Sequence, residues 1–201
     1  MNLRVHLAVL AVLALTATAA FAQADDGPVL TGIVGNLAAG DSTVNVSNDG
    51  ASGGSICVNV YAFSPDEQLV SCCACPLTVH ATASLSVQND VISNTLTPAV
   101  PSSLQIQLVS TVTPAGGCNP SAPGALTPGE VASGTTLAGT GGGIEIAQDA
   151  GARVGISWFN STPNAADQAR TEAICGFIQS NGSGFGICRS CRTGALGAGK
   201  H

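Results

Sequence analysis

Cysteine is the residue type best placed to do chemistry in this chain. The eight are Cys57, Cys72, Cys73, Cys75, Cys118, Cys175, Cys188 and Cys191, and they include two Cys-x-x-Cys units, Cys72 to Cys75 and Cys188 to Cys191. Thiols at that spacing hold zinc, exchange disulfides or close structural cross-links. A zinc ribbon is disfavoured, because more than a hundred residues separate the two units. A thioredoxin-type site needs a low-pKa thiolate, usually at a helix N-terminus within a βαβ unit. Cys72 instead ends a strand-like run, and the segment around Cys188, with Arg189 and Arg192 beside it, offers no such scaffold. Structural disulfides are the expectation for all eight cysteines.

Other chemistries have fewer candidates. Beyond the first 22 residues the only histidines are His80 and His201. A Ser-His or Cys-His nucleophile needs a histidine in hydrogen-bond reach and a third group to orient it. His80 alternates with Val79 and reads as a strand-face residue. Neither Cys-x-x-Cys unit is followed by histidine, which excludes c-type haem attachment. Asp66 and Glu67 could bind calcium, but nothing matches an EF-hand loop. Stacking on sugars would fall to Tyr61, Trp158 and the phenylalanines, since aromatics make up only 3% of residues. Asn45, Asn160 and Asn181 lie in glycosylation sequons. No catalytic, cofactor-binding or metal-binding residue is expected, and no cofactor.

The elements that must position these residues begin after Met1 to Ala22. That stretch has the three parts of a secretory signal peptide: Arg4, the apolar run Leu7 to Leu15, and the small-x-small Ala20-Phe21-Ala22. It predicts a mature chain starting near Gln23, exported to the extracellular space or periplasm. No later apolar run is long enough to span a membrane. The formal net charge is −6 at pH 7, with no Lys or Arg between Arg4 and Arg153. Nucleic acid and anionic membrane surfaces are poor partners for so acidic a body. A protein or cell-surface partner, not identifiable from the residues, is expected instead.

The centre of the chain is Ile56 to His80, read as a β-hairpin. Ile56, Val58, Val60 and Ala62 alternate with Cys57, Asn59, Tyr61 and Phe63, and Ser64 to Gln68 carries turn chemistry. On the return strand Cys73 and Cys75 share one face and Cys72 takes the other. Strands are also read at Val29 to Leu37, Asp41 to Ser47, Thr82 to Gln88 and Leu104 to Val112. Several short strands with frequent turns predict a mainly β fold: a disulfide-stabilised antiparallel β-sandwich, Ig-like in broad architecture. The sandwich domain covers 23–159 and includes a Pro/Gly-rich loop at 113–143 pinned by Cys118. Ile144 to Gln148 and Arg153 to Phe159 read as a second hairpin. A short helix starts at Thr162-Pro163-Asn164, with proline at its first position and a stripe of Ala166, Ala169, Ala173, Ile174 and Phe177. This helix and a Cys/Gly-rich tail, 160–201, are expected to pack on the sandwich, the tail without regular structure beyond its cross-links.

Parity adds a constraint. Five cysteines precede Arg153 and three follow it. If all pair within the chain, at least one bridge must tie the C-terminal part to the sandwich. The functional expectation is a secreted, non-catalytic structural protein of a surface or matrix. The alternatives are an exported thiol-disulfide oxidoreductase using one Cys-x-x-Cys pair, and a calcium- or glycan-binding extracellular module.

Overall fold

The structure is a computed structural model and describes residues 27–93, 95–137, 152–162, 164–182 and 186–191. The expected signal peptide lies outside the described residues. Nine strands form two antiparallel sheets: β1 (Val29–Val34), β2 (Thr43–Asn48), β3 (Ile56–Phe63), β4 (Leu69–Leu77), β5 (Thr82–Ser86), β6 (Leu104–Val112), β7 (Glu130–Leu137), β8 (Arg153–Gly155) and β9 (Trp158–Asn160). One sheet has the order β4-β3-β6-β1-β9, and the other β5-β2-β7-β8. The mainly β sandwich is therefore present, with one helix, α1 (Ala165–Asn181), near the C-terminus. No helix among the described residues is long and apolar enough to cross a membrane.

Period-two alternation builds the core. Val44 and Val46 of β2, Val58 and Val60 of β3, and Ile106 and Leu108 of β6 are fully buried between the sheets. The central hairpin forms as read, with Tyr61 opposite Cys72, Val60 opposite Cys73 and Val58 opposite Cys75. Its turn is closed by a 2.9 Å bond from the Ser64 amide to the Gln68 carbonyl, with Glu67 at φ 65°.

The first strand is shorter than read, ending at Val34, and its Gly32 has a packing role. A Cβ there would lie 2.8 Å from the Trp158 ring, so glycine makes room for the indole of β9. The strand read at Thr82 to Gln88 stops at Ser86, where the chain enters a π-helical turn, Val87–Val91.

Other readings need correction. The Pro/Gly-rich loop at 113–143 is not structureless, because β7 occupies Glu130–Leu137 within it and pairs with β2 and β8. Gly134 read as loop chemistry, but it lets two backbones meet: a Cβ there would lie 2.3 Å from the Thr43 carbonyl oxygen. The first part of the loop is pinned by Cys118, as expected. Arg153 to Phe159 is not one strand. β8 joins the four-stranded sheet and β9 the five-stranded sheet, and buried Ile156 lies between them. Ile144 to Gln148 lies outside the described residues.

The helix begins two residues later than read. Asn164 caps it, accepting from the Ala166 and Asp167 amides at 3.0 and 2.9 Å, so Ala165 holds the first helical position. The apolar stripe is also wrong. Ala166, Ala169, Ala173 and Phe177 are exposed, while Cys175 and Ile178 are buried with Ile174 packed beside them. The helix is turned by its disulfide and its few large side chains, which outweigh alanine's weak apolar signal. His80 is not on a strand face: it sits exposed in the turn after β4 at φ 62°. The tail has some regular structure, since Ile187 bridges to Ala74 in parallel and Arg189–Cys191 form a 3-10 turn.

Candidate functional site

All eight cysteines pair, as Cys57–Cys118, Cys72–Cys175, Cys73–Cys188 and Cys75–Cys191. Three of the four bridges cross from the sandwich to the C-terminal part. β4 directs them by alternation. Cys72 faces away from the sandwich and holds α1 against the outer face of the five-stranded sheet. Cys73 and Cys75 face the core and hold the tail along the β4 edge. There the Ala74 amide donates to the Gly186 carbonyl at 2.9 Å, and the Cys188 amide donates to the Ala74 carbonyl at 3.0 Å. Backbone pairing thus covers what would be an open sheet edge.

The tail has a second anchor in Asp90, a buried residue of the π-helical turn. Its carboxylate accepts from the Ser190 amide at 2.7 Å, the Ser190 hydroxyl at 2.9 Å and the Ser86 amide at 2.9 Å. Bonds to a charged acceptor are among the stronger hydrogen bonds. Nothing in the sequence distinguished Asp90 from any other turn aspartate.

This pairing bears on the candidate chemistries. Neither Cys-x-x-Cys unit closes on itself, so each motif cysteine is bonded to a residue of another element. The sulfurs of Cys75, Cys188 and Cys191 lie within 4.8 Å of one another, so folding gathers what the sequence separates. All three are in disulfides, whereas zinc is held by thiolates.

A separate concavity of about 900 Å³ opens between α1 and the outer face of the five-stranded sheet. Sheet register assembles its floor: Gln107 of β6 pairs with Tyr61 of β3 on one side and Thr31 of β1 on the other. Gln105 pairs with Phe63 in the next row. Thr171, Ile174 and Phe177 of α1 form one wall, and the β3–β4 turn with Asp66 and Glu67 closes one end. Asp66 and Glu67, read as a possible calcium pair, therefore sit at the mouth of a cleft; the Ser64 hydroxyl donates to Asp66. Asp167 also lines the cleft, with Arg170 as its single basic residue among the described residues.

Tyr61 is fixed within this floor. It is buried, its hydroxyl donates to the Pro120 carbonyl at 2.7 Å, and burial, then the Glu172 carboxylate, push its phenol pKa well up. It is a positioning group rather than a free stacking surface. Trp158 lies over Gly32, on the core side of the sheet. Phe177 supplies the exposed ring at the cleft, with 59% of its surface accessible. Sequence reading placed Phe177 in a buried stripe and Gln105 and Gln107 simply on a solvent face. Their alternation with Leu104, Ile106 and Leu108 did show which way they point.

No family model, no curated protein and no solved structure matches the chain.

Proposed function

We propose that this protein is an exported, non-catalytic structural or binding component of a cell surface or extracellular matrix. The observation that carries the reading is the use of all eight cysteines in bridges between distant elements. A thiol-disulfide oxidoreductase cycles a disulfide within one Cys-x-x-Cys unit, and the observed pairing favours cross-linking over that cycle. Four disulfides in one small domain are compatible with an oxidising extracellular or periplasmic location. The signal-like N-terminus supports the same reading, with a mature chain from Gln23.

Two measurements test the proposal. N-terminal sequencing of protein recovered from medium or envelope should start at Gln23, within a residue or two. Thiol labelling of that protein under denaturing conditions without reductant should find no free cysteine, and insulin reduction should show no rate. Retention of Met1, or insulin reduction abolished by Cys188→Ser with Cys191→Ser, would defeat the reading.

A further inference from the structure

We infer that the cleft between α1 and the outer face of the five-stranded sheet binds a neutral oligosaccharide. The floor has the right chemistry. The side-chain amides of Gln105 and Gln107 have no hydrogen-bond partner among the described residues, and both line the cleft. A primary amide offers donors and an acceptor side by side, which matches the paired donor and acceptor character of adjacent sugar hydroxyls. Across the floor, the Thr31 and Ser161 hydroxyls bond each other at 2.9 Å and retain further hydrogen-bonding capacity.

The wall supplies the second half of a saccharide site. Phe177 lines the cleft from α1 with more than half of its surface accessible, so its ring is available to a ligand there. An aromatic face packs well against the apolar C–H face of a pyranose, while the amides take the hydroxyl edge. The volume lies within the range of about 300–1,000 Å³ usual for small-ligand clefts.

Charge selects against other occupants. Asp66, Glu67 and Asp167 outnumber Arg170, so the local field repels sulfated or uronic chains. A cationic peptide would be drawn by the same carboxylates, but the floor of Gln105, Gln107, Thr31 and Ser161 offers it no charge, and octalysine is the probe for that occupant. The inference does not depend on export or on the absence of catalysis, because it concerns binding by the purified protein.

Calorimetric titration of the disulfide-intact full chain with cellotetraose, chitotetraose, maltotetraose and mannotetraose tests it. Octalysine and a heparin tetrasaccharide serve as charged probes. At least one neutral tetrasaccharide should bind, and neither charged probe should. Phe177→Ala should weaken binding by up to about tenfold through lost stacking. Gln107→Ala should weaken it by about three- to tenfold through lost hydrogen bonds. Phe177 is exposed, so its variant keeps the fold and serves as the cleaner test. Silence from all four neutral sugars, binding unchanged by both substitutions, or preferential binding of octalysine or heparin would overturn the inference.

Discussion

The two faces of the five-stranded sheet are stabilised in different ways. The inner face meets the second sheet through aliphatic side chains from strands of both sheets, including Leu30, Val44, Val58, Leu85, Ile106 and Leu108, all fully buried. The outer face is covered by α1 and the Cys118 loop through a smaller cluster: Val29, Tyr61, Leu69, Val109 and Ile178 around the Cys72–Cys175 bridge. Apolar burial is worth roughly 25 cal/mol per Å², so the small outer cluster has less with which to hold a 17-residue helix. A covalent bond supplies what the contacts lack. The comparison teaches that cross-linking lets a surface be covered without being filled, which leaves room for a cleft.

The largest expected effect is on the inner face. Leu108→Ala deletes a fully buried side chain of β6 and should destabilise the fold by about 2–5 kcal/mol, read as a shift in the urea midpoint. A cost under about 1 kcal/mol would show that the inner core is not the main source of stability.

Removing the outer staple should come next. Paired substitution of Cys72 and Cys175 by serine opens a bridge of sequence separation 103. With Cys73–Cys188 intact, the additional loop that Cys72–Cys175 closes in the unfolded chain runs from Cys175 to Cys188, on the order of 15 residues, for which chain entropy gives about 3 kcal/mol. The staples are thus partly redundant. Hydrogen exchange in this variant should rise across Ala165–Asn181 before it rises in β3 or β6. Uniform acceleration would contradict the division into two faces.

Glu130 brings an ionisable side chain into the inner layer. It faces inward at the start of β7, fully buried, and neither carboxylate oxygen has a partner among the described residues. Burial alone pushes its pKa well above 4.5. Above about pH 4.5 the unfolded chain releases this proton while the folded chain keeps it, so stability falls as pH rises. The fall ends once the folded pKa is passed. Glu130→Gln cannot ionise, so it should match the wild type in acid, exceed it at higher pH and lack this component of the slope. Urea midpoints across the pH range check this. Equal slopes in both proteins would mean that Glu130 ionises freely.

The smallest effect on stability belongs to the outer rim. Phe177→Ala removes a largely exposed ring and should change stability by no more than about 0.5 kcal/mol. A cost of about 2 kcal/mol would mean that Phe177 holds the helix down and that the outer face is filled after all.

Several of these features were legible in the residues. Alternation in Ile56 to Phe63 and in Leu104 to Val112 marked the two central strands, because a half-buried strand must alternate. The opposite placement of Cys72 and Cys73 followed from the same geometry, and odd counts on either side of Arg153 required a crossing bridge. β7 was hidden because Ser133, Gly134 and Thr135 read as loop chemistry. The glycine is there for a close approach to β2, which only the partner strand reveals. The wrong helix face has a similar cause, since alanine is compatible with either side and Cys175 decides the rotation through its bond.

By itself the sequence determined the class of fold, the strand faces, the exposed direction of Gln105 and Gln107 and the need for at least one long cross-link. These follow from backbone periodicity and counting, which act along the chain. Tertiary structure alone decided which cysteines pair, that Asp90 clasps the tail, that the chain changes sheets between Gly155 and Trp158, and that a cleft opens beside Phe177. Each of these depends on residues far apart in sequence meeting in space, and local pattern carries no record of such meetings until the sheets have packed.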